Sequence, residues 1–79
     1  MNNVTKIIKK YRQAKKVSQV DLAKFLGWAS GQFVSNIEKG LSEWPKEVIP
    51  KVCKKLQIPH RELWAAYQTD CQLEFKDLL

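Results

Sequence analysis

Few side chains in this sequence are able to carry covalent or metal chemistry. Cys53 and Cys71 lack the CxxC spacing of a redox or zinc pair, and His60 is the single histidine. A four-ligand zinc site cannot be assembled from three such residues. One histidine also leaves no Ser–His–acid or Cys–His arrangement to propose. Both cysteines are therefore expected to be small buried or half-buried hydrophobes, kept reduced. No catalytic residue, metal ligand or cofactor is expected, and an enzyme is not.

The chemistry that remains is that of charge and of side-chain amides. Fourteen Lys and Arg against eight Asp and Glu give a net charge of +6. Residues 1–40 hold eight basic and two acidic side chains, whereas residues 41–79 hold six of each. The whole excess thus lies in the first half, which suits a polyanionic partner: nucleic acid, or less often an anionic membrane surface. Within that half, Val34 and Ile37 are spaced to face inward on a helix, and Phe33 is expected to share that face. Gly31, Gln32, Ser35, Asn36 and Lys39 are then left outward as a polar set.

The elements that must position these residues are helical. Seventy-nine residues make one small domain over 1–79, with a core at about 3–67 and a carboxy-terminal helical extension at about 68–79. Apolar residues at 44% suit a folded chain. The longest apolar run is the five residues from Leu63 to Tyr67, too short to span a membrane. The amino terminus shows no apolar signal stretch, so a cytoplasmic location is expected. Val4, Ile7, Ile8 and Tyr11 follow i, i+3, i+4, i+7 and predict a helix over about 3–15. Ser18 with Asp21 resembles a capping box, and Val17 with Leu22 a hydrophobic staple. They open a second helix over about 19–26, with Leu22, Phe25 and Leu26 on its core face and Gly27 as its stop.

Ser30 is the next N-cap candidate, for a helix over about 31–39 that ends at Gly40. Two short helices about a tight connection give a helix-turn-helix outline. Leu41 to Lys46 reads as a loop that includes Trp44. Val48, Ile49, Val52, Cys53 and Leu56 then carry a helix over about 48–56, with Pro50 in its first turn. After Ile58-Pro59, the residues His60, Trp64, Tyr67, Cys71, Phe75 and Leu78 form a last sustained helical stripe.

Gln19-Val20-Asp21-Leu22-Ala23-Lys24-Phe25-Leu26-Gly27, followed by Ser30 to Gly40 with its Ser35-Asn36-Ile37-Glu38-Lys39-Gly40, resembles the helix-turn-helix of the phage repressor and Cro family, also called the XRE family. The similarity covers roughly residues 5–67. It implies an all-α, compact five-helix, lambda-repressor-like domain whose third helix lies in the DNA major groove. It also implies that Arg12 and Glu38 form a partly buried ion pair between the first and third helices. The connection is one residue longer than the common pattern, with Trp28-Ala29 in place of one apolar residue. This leaves the first contact open among Ser30, Gly31 and Gln32.

By position in that family, Gln32 and Asn36 are the main base readers, with Ser35 and Gly31 beside them. An amide donates and accepts together and so suits adenine N6 and N7. Gln19 resembles the family's phosphate clamp, and Ser30, Lys39 and Lys46 join it as expected phosphate contacts. The implied function is a sequence-specific transcriptional regulator, a Cro-like or repressor protein binding a palindromic double-stranded operator as a homodimer. The stripe Trp64, Tyr67, Cys71, Phe75 and Leu78 either supplies the dimer face or folds back over the chain's own core. No membrane and no small-molecule ligand is expected. The alternatives are an antitoxin of a toxin–antitoxin pair and a protein–protein adaptor on the same fold.

Overall fold

Each apolar stripe becomes a helix. The computed structural model describes the backbone of residues 2–78 and the side chains of residues 3–71. The helices are α1 (Asn2–Ala14), α2 (Gln19–Phe25), α3 (Gln32–Glu38), α4 (Ile49–Leu56) and α5 (His60–Leu78). No strand occurs among the described residues. The bounds differ from those expected by a residue or so, as frayed helix ends do. Pro50 sits in the first turn of α4, where its missing N–H costs nothing.

Four helix ends share one construction. After α2, the Gly27 N–H donates to the Lys24 carbonyl at 3.1 Å and the Trp28 N–H to the Ala23 carbonyl at 2.8 Å. This two-bond closure satisfies carbonyls that the helix leaves open. It requires a left-handed residue, here Gly27 at φ +75°, which has no Cβ to clash. Gly40 and Leu41 close α3 in the same way. Lys16 and Gln57 close α1 and α4 at φ 57° and 56° without a glycine.

The core is built from Val4 and Ile8 of α1, Leu22 and Ala23 of α2, Val34 and Ile37 of α3, Val52, Cys53 and Leu56 of α4, and Leu63 and Ala66 of α5. Leu41 to Lys46 is a loop as expected, but its Trp44 is 2% exposed, the largest fully buried side chain among the described residues. Its ring stacks on Trp28 at 5.9 Å and 24°. The loop runs over the surface, but one aromatic from it fills the space under the turn between α2 and α3.

Two aromatic residues expected inside lie outside. Phe25 is 47% exposed, with the Lys55 ammonium 5.2 Å from its ring centre. It falls about 110° around the helix from the centre of Leu22, Ala23 and Leu26, too far to reach the core. Phe33 is 54% exposed. On α3, Val34 and Ile37 take the buried arc together with Glu38, and Phe33 lies on its flank.

α5 packs antiparallel to α1. Asp70, buried, accepts the Asn3 and Val4 backbone N–H groups, both at 3.0 Å, and so caps the start of α1. Further along, the Tyr11 hydroxyl donates to Glu62 at 2.6 Å, and Lys10 approaches the same carboxylate at 3.7 Å. The hydrogen bond to Glu62, burial and the carboxylate's charge raise the Tyr11 pKa. Leu63, Ala66 and Asp70 are therefore the packed face of α5. Trp64 is 59% exposed, and Cys71 is exposed, which corrects the expectation that both cysteines are buried or half-buried. Cys53 is the buried one, its thiol donating to the Ile58 carbonyl at 3.1 Å and its pKa raised by that burial. The side chains of Phe75 and Leu78 lie outside the described residues.

Candidate nucleic-acid interface

The site begins with the entry to α2. Ser18 adopts extended backbone, and its Oγ accepts the Asp21 N–H at 3.0 Å. Val17 is half-buried against the core and Leu22 wholly buried, as a staple requires. The start of α3 then lies directly on the start of α2. A Cβ on Gly31 would stand 3.0 Å from Val20 Cγ2, and 3.1 and 3.2 Å from the Val20 backbone N and Cα. The absent side chain of Gly31 thus points at α2, and its small size serves helix packing. Gly31 is also the N-cap, a position expected of Ser30. Ser30 still contributes, because its hydroxyl accepts the Gln32 N–H at 3.3 Å.

One carboxylate fixes the pose of α3. Glu38 accepts Arg12 Nε at 2.7 Å, Arg12 Nη2 at 3.0 Å and Gln19 Nε2 at 3.0 Å. Arg12 Nη1 donates to the Val17 carbonyl at 2.9 Å. The Arg12 and Glu38 side chains are only 10% and 4% exposed. Such a two-pronged, desolvated pair is directional as well as strong. Through it, α1, the staple segment, α2 and α3 meet at a single group. The tie to Gln19 was not legible in the sequence, where that residue stands at a helix start as an expected phosphate contact.

The outward side of α3 carries Gln32, exposed, and Asn36, half-buried, one turn apart. Gln32 Nε2 donates to Asn36 Oδ1 at 2.8 Å. This bond holds both amides in place and still leaves Gln32 Oε1, one Gln32 N–H, both Asn36 N–H groups and the second lone pair of Asn36 Oδ1 for a ligand. Both amides therefore retain an acceptor and a donor, the pattern that fits an adenine edge. Ser35 is half-buried beside them, and Lys39 is exposed at the helix end.

Lys46, exposed, lines another groove with Ile49, Pro50, His60, Trp64 and Tyr67. There Trp64 and Tyr67 stack at 5.8 Å and 14°. Of the lysines on α1, Lys10 is held by Glu62, and just beyond the helix Lys15 is held by Gln57 at 2.6 Å. Phe33 and Trp28 flank the amides, edge to face at 6.0 Å and 62°. The sequence signal for that pair was the lengthened Trp28-Ala29 connection. No helix among the described residues is long and apolar enough to cross a membrane.

Comparison with curated proteins and with solved structures finds no match. The family model described as Helix-turn-helix matches residues 8–63, well over half of the chain and all of α2, α3 and α4. With that match, and with a short polar helix set on a capped partner across a glycine turn, the chain belongs to the helix-turn-helix family of phage repressor and Cro (XRE) type, a family of DNA-binding domains.

Proposed function

We propose that this protein is a sequence-specific regulator of transcription, of repressor or Cro type, which lays α3 in the major groove of double-stranded DNA. The observation that carries the reading is the Gln32–Asn36 amide pair, 2.8 Å apart on the outer side of a helix anchored through Glu38 to α1 and α2. An α-helix fits the major groove, and amides at its exposed side meet base edges. Ordering two long side chains before binding lowers the entropy lost on binding. Gln32 and Asn36 read bases, with Ser35 and the Gly31 backbone beside them. Gln19, Ser30, Lys39 and Lys46 meet phosphates, which position the domain without reading sequence.

A single reader of this size covers one half-site. The protein binds as a two-fold dimer to a palindromic operator, with recognition helices about one DNA turn, roughly 34 Å, apart. The exposed Trp64, stacked on the half-buried Tyr67, with Cys71 exposed on the same stripe, supports α5 as the dimer face. All of residues 1–79 then act as one domain, in the compartment that holds the DNA.

Selection of bound sites from a random duplex library, followed by gel-shift titration at several salt concentrations, tests the proposal. Gln32→Ala is expected to relax preference at one base pair, by about 1–3 kcal/mol of discrimination. Lys39→Ala is expected to weaken all sequences alike and to lower the salt slope by about one. Equal losses on every sequence from both changes refute the assignment.

A further inference from the structure

Phe33 follows Gln32 in the first turn of α3 and is 54% exposed, while Val34 and Ile37 fill the core. Its ring is nevertheless held. Trp28 meets it edge to face at 6.0 Å and 62°, and Trp28 in turn stacks on Trp44 at 5.9 Å and 24°. Trp44 is 2% exposed, so the three rings run from solvent into the core and fix the outermost one. A side chain that is ordered but uncovered is prepared for a partner.

The chemistry of that partner follows from the neighbours. Phe33 lines one groove with Asn36, Trp28 and Pro45, and it lies about 60° from Asn36 around the helix. A helix that presents Asn36 to base edges brings the Phe33 flank against the same groove floor. That floor is polar except at the 5-methyl group of thymine. An adenine read by an amide has a thymine paired to it, and neighbouring pairs place further methyls within a few ångströms. We infer that Phe33 is a specificity-determining residue that packs on the 5-methyl of a thymine beside the bases met by Gln32 and Asn36, with Trp28 as the positioning residue behind the ring. This inference rests on the DNA reading proposed above.

Deoxyuridine tests it, because it keeps every hydrogen-bonding atom of thymidine and lacks only the methyl. Using a duplex recovered by selection with the full chain, each thymine of one half-site is replaced singly by deoxyuridine. The wild type is expected to bind about fourfold more weakly at one such position, the worth of one buried methyl. Phe33→Ala is expected to bind the thymine and uracil duplexes at that position alike, and Phe33→Leu to keep part of the difference. Phe33 is half in solvent, so these variants retain the fold, and equal binding of random DNA at low salt verifies it. A wild type indifferent to every replacement, or a Phe33→Ala protein that keeps the same fourfold difference, overturns the role of Phe33 and leaves the DNA reading intact. A selection that enriches no sequence overturns both.

Discussion

Replacing Arg12 by methionine probes the group on which the pose of α3 depends. The substitution keeps the length of the stem and removes three hydrogen bonds, at 2.7 and 3.0 Å to Glu38 and at 2.9 Å to the Val17 carbonyl. Glu38, its side chain 4% exposed, then keeps only the Gln19 N–H at 3.0 Å. A buried charge stripped of its partner costs about 3–5 kcal/mol. A domain of this length holds only about 4–12 kcal/mol in all, at roughly 0.05–0.15 kcal/mol per residue. With a urea slope of about 1 kcal/mol/M, the midpoint falls by about 3–5 M, read from the fluorescence change as Trp44 is exposed. The double change Arg12→Met with Glu38→Leu removes the stranded charge and is expected to recover most of the loss. A single variant within 1 M of wild type, or a double variant no better than the single, shows the pair to be a screened surface contact and refutes the reasoning.

Two further outcomes follow from packing and from charge. Gly31→Ala should destabilise by about 1–3 kcal/mol in the same urea assay, because its Cβ overlaps Val20. Adding Val20→Ala should recover only part of this, since the Val20 backbone N and Cα remain at 3.1 and 3.2 Å. For Tyr11, the hydrogen bond to Glu62 comes first among the causes that raise its pKa above the ordinary 10.0. A raised folded-state pKa contributes stability that is whole below about pH 10 and is lost as pH climbs through the folded value. Wild type should therefore lose stability above pH 10 more steeply than Tyr11→Phe, as followed by urea midpoints against pH. Equal slopes contradict the contact.

The helices and their order were legible because apolar spacing, Ser18 and the two stop glycines are local signals. Four features were not. Trp44 reads as a loop residue until the gap beneath the α2–α3 turn exists to receive it. Asp70 looks like any exposed carboxylate on a helix until the start of α1 is brought to it, 66 residues away. Phe25 and Phe33 look like core residues by type, but each of these seven-residue helices offers too narrow a buried arc to hold them. Lys16 and Gln57 end helices in left-handed backbone without the glycine that usually announces it. At the interface, spacing alone placed Gln32 and Asn36 on one side of a helix. Their mutual hydrogen bond, and the use of Gln19 to steady Glu38, depend on side-chain rotamers that spacing does not set.

The side-chain amide resonances of Gln32 and Asn36 give the most direct view of whether this surface meets DNA. On titration with a selected duplex in an NMR experiment, both amides should shift together with the backbone of Ser35 and Lys39, while the Leu63 and Ala66 signals on the packed face of α5 hold still. Unmoved Gln32 and Asn36 signals, with the changes gathered at Ile49 and His60 instead, would contradict the account.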